Sequence, residues 1–135
     1  VYMNTVEKLL KMDAGKIKKN EKTVKIYLSR LGESFEFHCK EIDSEYIAEL
    51  QENSIDLDVD GNVKVKTYEQ KVLSIIESCS EVFKDDEVIK HFNCVTPKDL
   101  VKKLMTSGEM DELYKEINKL NGYQNEKEKV EDIKN

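Results

Sequence analysis

A chain of 135 residues with 37% charged residues, 7% aromatics and no Trp describes a strongly solvated, helix-rich domain with a lean core, burying about two-thirds of its unfolded surface. Its net charge of −6 is uneven: residues 1–30 hold eight Lys and Arg against three Asp and Glu, a balance of +5 that leaves −11 for the rest. Cys39, Cys79 and Cys94 are odd in number and widely spaced, which argues against a disulfide framework and fits a reducing cytoplasm; no apolar run approaches the ~18 residues of a membrane span or has the make-up of a signal peptide.

The chain opens VYMN, so Met3 is either the authentic start behind extra residues or internal to a longer chain. Residues 4–12 predict a short amphipathic helix with Val6, Leu9 and Leu10 on one side, ended by Asp13-Ala14-Gly15. From Thr23 to Ile42, Val24, Ile26 and Leu28 alternate with polar positions, as do Phe35, Phe37 and Cys39. The turn residues Gly32-Glu33-Ser34 lie between these runs, which predicts an antiparallel hairpin. Asp43-Ser44 is placed to cap a helix running to about Glu52, with Tyr46, Ile47 and Leu50 inward.

Residues 55–67 alternate again around Asp60-Gly61 and read as a second hairpin or an extended connector. From Tyr68 the period turns helical, and Val72, Leu73, Ile75, Ile76, Cys79, Val82 and Phe83 make a broad buried face. Lys84-Asp85-Asp86 breaks it, and a short helix carrying Val88, Ile89 and Phe92 follows. Two capped helices come next. Thr96, Pro97 and Asp99 form an N-terminal signature ahead of Leu100, Val101 and Leu104. Ser107 is placed to cap the second helix, whose stripe is Met110, Leu113, Tyr114, Ile117 and Leu120, with Gly122 ending it in a left-handed turn. The final NEKEKVEDIKN is charged and reads as a frayed helix or disordered tail.

The predicted architecture is α+β. Residues 1–54 form an N-terminal part with a helix and hairpin, 55–67 a hairpin or connector, 68–123 a helical part, and 124–135 the tail.

Chemistry finds little support in these residues. Asp56-x-Asp58-x-Asp60-Gly61 matches the first half of a calcium loop, but its twelfth position is Thr67 where a bidentate Glu is needed. A polar strand face leading into an Asp-Gly turn accounts for the run. His91 and Cys94 form a single metal-type pair where a zinc site wants four ligands. The expectation is no cofactor, no metal and no catalytic set, because no acid, base, nucleophile and oxyanion donors can be named together. Lys16, Lys18, Lys19, Lys22 and Lys25 supply a basic run without interleaved aromatics, so a small nucleic-acid-associated regulator using residues 16–25 is the alternative reading. What remains is the stripe Met110, Leu113, Tyr114, Ile117 and Leu120, which serves either as core or as a surface for a partner helix.

Several blocks of residues 6–123 together resemble a known family. The order Thr96-Pro97-x-Asp99-Leu100-Val101-x-x-Leu104, then Gly108-Glu109-Met110, then Ile117 to Gly122-Tyr123 is similar to the C-terminal block of XkdN-like phage tail assembly chaperones. Leu9-Leu10 with Asp13-Ala14-Gly15, and Asp60-Gly61-Asn62-Val63, resemble its earlier blocks; the family's Leu-Pro before Gly-Glu is replaced by Thr106 and Ser107. The resemblance implies a non-enzymatic protein of the host cytoplasm that coats the tape-measure protein, helps recruit tail tube protein, and is absent from the mature virion. Such a role suits self-association into a coat and partner contacts through the stripe on Met110, Leu113, Tyr114, Ile117 and Leu120, and the lack of a long apolar run speaks for no membrane partner.

Overall fold

A computed structural model of the chain describes residues 4–53, 55–57, 60–61, 63–65 and 67–123. The tail expectation for residues 124–135 lies outside the described residues. The architecture is α+β, as the change of period along the sequence predicts.

Asn4 caps a short helix, α1 (Thr5–Leu10), by accepting from the Glu7 backbone N–H at 2.8 Å. A 3-10 turn at Ala14–Lys16 follows, its N–H at Gly15 held by the Asp13 carboxylate. The hairpin comes next: β1 (Glu21–Leu28) pairs antiparallel with β2 (Glu33–Lys40), Val24 opposite Phe37 and Ile26 opposite Phe35. Gly32 takes φ +73° at its turn, a conformation that only glycine adopts without strain. Val24, Ile26, Leu28, Phe37 and Cys39 share the buried face, as alternation requires. Phe35 lies on that same face near the open tip, yet it stays 36% exposed.

Helix α2 (Ser44–Asn53) buries Leu50 and half-buries Tyr46 and Ile47. A second antiparallel hairpin joins β3 (Ile55–Leu57) to β4 (Val63–Val65), which settles the choice between hairpin and connector at residues 55–67. Helix α3 (Thr67–Ser78) ends earlier than its periodicity predicts. Cys79 leaves helical geometry, and α4 (Ser80–Phe83) restarts beyond it. Past this break Phe83 is fully buried and stacks on Phe37 at 5.8 Å between ring centroids.

Asp85 caps α5 (Asp86–His91). Asn93 ends this region at φ +59°, while the Cys94 N–H returns to the Ile89 carbonyl at 2.9 Å. That is the glycine-like stop in which Asn is the usual substitute. Helices α6 (Pro97–Leu104) and α7 (Ser107–Leu120) then close the fold.

One core joins the β1–β2 face to α3, α6 and α7, with Ile26, Ile75, Leu100, Leu113 and Ile117 at 0–1% exposure. Each such side chain contributes about 1.5–3 kcal/mol by leaving water. The hairpin is tied to the helices at both ends. At its open end Ser78 Oγ donates to the Lys40 carbonyl at 2.8 Å, and the Ile42 N–H donates to Asn121 Oδ1 at 2.9 Å. At its tip Arg30 Nη1 donates to the carbonyls of Lys102 at 2.6 Å, Lys103 at 3.2 Å and Met105 at 3.1 Å. These carbonyls end α6 without intrahelical partners, so a guanidinium satisfies both their hydrogen bonding and the negative end of the helix dipole.

Candidate functional site

The α6–α7 junction and the stripe behind it carry the sequence-predicted site, so its construction comes first. Thr106, rather than Ser107, caps α7. Its Oγ1 accepts from the Glu109 N–H at 3.3 Å, and Glu109 Oε1 accepts from the Thr106 N–H at 3.0 Å. This is a capping box, and Thr106-Ser107-Gly108-Glu109 has the required T-x-x-E spacing. Glu109 does more than cap. Its Oε2 accepts from the Ser29 N–H at 3.1 Å, so one carboxylate joins the start of α7 to the hairpin tip. Partial burial alone would raise the Glu109 pKa; the N–H groups of Thr106 and Ser29 outweigh it and hold the carboxyl below the usual carboxylate range.

The predicted partner stripe divides in two. Met110, Leu113 and Ile117 are buried at 4%, 0% and 0% exposure and pack into the common core. Tyr114 and Leu120 are half-buried at its edge. Tyr114 stands on the wall of an open cleft of about 290 Å³, with Ile47, Leu50, Asn118 and Tyr123 among its other walls. Beside the stripe, Lys22 Nζ pairs with Glu116 Oε2 at 2.5 Å. That bond, ahead of burial acting the other way, holds Glu116 below the ordinary carboxylate range. At the far side of α7, Gly122 takes φ +94° and the Tyr123 N–H reaches the Asn118 carbonyl at 2.8 Å, the expected left-handed stop.

The residues weighed for chemistry do not converge. Cys39 and Cys79 meet inside the core with sulfurs 3.5 Å apart. The hydrogen bond shared with Cys39 and then burial push the Cys79 thiol far up, so it stays protonated and unreactive. Cys94 is half-buried, and its thiol reaches the Phe92 carbonyl at 3.6 Å. His91 meets Phe92 edge to face, and His38 lies 3.7 Å from Glu21. Among the described residues no group of three or more His, Cys, Asp or Glu could hold a metal ion. Asp60 is exposed, whereas Asp58 and the Asp56 side chain lie outside the described residues, and the cation reading lies there with them. Of the basic run, Lys16, Lys18 and Lys19 are exposed ahead of β1, while Lys22 is taken up by Glu116.

Sequence reasoning missed Arg30, Ser29 and Ser78. Their partners lie 72–75, 80 and 38 residues away along the chain, and no local pattern announces such distant contacts. It also missed a second, more apolar groove at the hairpin tip, about 400 Å³ in volume and bounded by β2, α5 and the end of α6. Among the described residues no helix is long and apolar enough to cross a membrane.

Comparison with known proteins gives a family and a fold. The family described as phage XkdN-like tail assembly chaperone protein matches residues 6–134. The crystal structure of the protein YqbN is similar with a TM-score of 0.56 at 15% identity, covering 92% of this chain and 99% of that one. At that identity the likeness speaks for the fold alone. No curated protein matches the chain significantly.

Proposed function

The chain belongs to the phage XkdN-like tail assembly chaperone family, and from that membership we propose that it is a non-enzymatic carrier for the tape-measure protein. It keeps that long helical protein soluble and helps recruit tail tube subunits while a tail is built in the host cytoplasm. It does not remain in the finished particle. The observation that carries this reading is the family match over residues 6–134.

The physical character of the chain supports it. A carrier needs net charge for solubility and apolar surface that it can release again. Here a net charge of −6 accompanies an open cleft in which Tyr114, Tyr123, Ile47 and Leu50 stand among the polar side chains of Gln51, Gln70, Asn118 and Asn121. Tyr114 and Leu120 are the members of the stripe that touch the partner, and Met110, Leu113 and Ile117 hold α7 in place beneath them. Recognition is of the helix-in-groove kind, with modest energy spread over many contacts so that tube subunits can displace the carrier.

The test is co-expression with the tape-measure protein of the same gene cluster. The expected result is a soluble tape-measure protein that co-purifies with the chain. Tyr114→Ala lowers recovery about tenfold if one good contact is lost, with circular dichroism showing the chain itself still folded. A tape-measure protein that stays insoluble and never co-purifies sinks the reading.

A further inference from the structure

Among the described residues Cys39 and Cys79 are the two thiols that meet, and a carrier role makes no use of them. They lie 40 residues apart in sequence, yet their Sγ atoms are 3.5 Å apart at 0% and 1% exposure. That is a contact distance, against about 2.05 Å for a disulfide bond. Cys94, the third thiol, is half-buried and turns its sulfur to the Phe92 carbonyl instead.

The fold places both sulfurs. Cys39 sits on the inward face of β2 near its end, opposite Lys22. Cys79 occupies the break between α3 and α4, where φ −107° and ψ 42° take it out of helical geometry. The residues beside them are tied as well, since Ser78 Oγ donates to the Lys40 carbonyl at 2.8 Å. That hydrogen bond sets the break against the end of the strand and so holds one sulfur on the other. Packing asks only for small apolar groups at these two positions. A pair of thiols in contact adds the capacity to be joined.

The two sulfurs are not equivalent. The hydrogen bond they share outweighs burial at Cys39 and holds its thiol below the ordinary range, whereas at Cys79 the same bond and burial both act upward. Cys39 is therefore the more readily ionised of the two, and Cys79 does not start a reaction.

We propose that Cys39 and Cys79 form a latent redox site, which a peroxide converts into a reversible disulfide stapling β2 to the α3–α4 break. The Cys39 thiolate attacks one peroxide oxygen, the O–O bond breaks, and the departing hydroxide takes up a proton to become water. Cys39 is then a sulfenic acid. The Cys79 sulfur attacks it, the S–O bond breaks, and hydroxide leaves as water with the Cys79 proton. Two thiols and one peroxide give one disulfide and two waters; the sulfurs lose two electrons and the peroxide gains them. Burial confines the reaction to transient openings of the core and favours a small oxidant. In a reducing compartment the pair stays a dithiol, so the staple is a response to oxidation and not part of the resting fold. It stands apart from the carrier reading and needs no tape-measure protein.

The test exposes the purified full chain to hydrogen peroxide, followed by alkylation in denaturant and peptide mapping. The expected product is a crosslinked pair of peptides holding Cys39 and Cys79, lighter by two hydrogens than their reduced sum and reversed by dithiothreitol. Cys94→Ala should form the same crosslink. A bridge across 40 residues removes conformational freedom from the unfolded chain. The oxidised protein should therefore melt at least about 5 °C above the same sample after reduction. Methionine sulfoxide survives dithiothreitol, so it does not contribute to that difference. Four outcomes overturn the proposal: both thiols still open to alkylation after peroxide, a crosslink that runs through Cys94, oxidation of Cys39 to its sulfinic acid with no crosslink, or an oxidised chain that melts no higher than the reduced one.

Discussion

Helices α1 and α7 are built by the same local rules and end in opposite circumstances. Each starts on a side-chain cap: Asn4 for Glu7 at 2.8 Å, and Thr106 for Glu109 at 3.3 Å. Each carries an apolar stripe at helical spacing. Yet α7 buries Met110, Leu113 and Ile117, while α1 buries nothing. The stripe itself is not what distinguishes them. The α7 stripe meets the hairpin face and α3, and its capping carboxylate also reaches Ser29 on the hairpin tip. Among the described residues the α1 stripe has no such neighbour. Helical period therefore reveals that a helix has an apolar side, but what covers that side depends on contacts far away in sequence. A helix of six residues is marginal alone in water.

That contrast can be broken or sharpened by substitution, from the largest effect downward. Leu113→Ala opens a cavity in the centre of the core and should cost about 2–5 kcal/mol in urea unfolding. Leu9→Ala, the matching deletion in α1, should change global stability by less than about 0.5 kcal/mol. Equal costs at the two sites would erase the distinction. Arg30→Ala removes one cation from three carbonyls at the end of α6 and should cost about 1.5–3 kcal/mol.

The caps make a finer comparison. Thr106→Ala should cost about 1 kcal/mol, because the helix it starts is part of the cooperative core. Asn4→Ala should leave the unfolding midpoint where it is, since fraying of α1 disturbs no packed residue. The smallest effect is acid sensitivity. Glu109 and Glu116 both have folded pKa values below the ordinary 4.5. Their stabilisation is therefore complete above about pH 4.5 and is lost as the pH falls through the depressed folded values. The melting temperature should decline over that acid range. Glu109→Gln should lower it at pH 7 and make the acid decline shallower; an unchanged acid slope would show that the junction carboxylate is not coupled to folding.

Much of the fold was legible because its causes are local. Alternation at Val24, Ile26 and Leu28 marked β1, the Gly32 turn marked the hairpin, and Thr96 stood at a real helix start. Thr106 was legible too, since T-x-x-E favours it over Ser107, but the adjacent serine competes under the simpler capping rule. The break at Cys79 was not, because the apolar face continues through it to Val82 and Phe83 without a Gly or Pro. The site was legible only in part. Periodicity marked Met110, Leu113, Tyr114, Ile117 and Leu120 as one stripe, whereas their division into buried and edge residues depends on α2, α3 and the hairpin. The hairpin-tip groove had no sequence signature at all, because Phe35 alternates like a core residue and only the tertiary fold leaves it uncovered.

Hydrogen–deuterium exchange of the full chain tests the central contrast most directly. At high dilution the amides of α7 should be protected nearly to the level of global unfolding, and those of α1 should exchange close to the rate of an unstructured peptide. An α1 as protected as α7 would contradict the account.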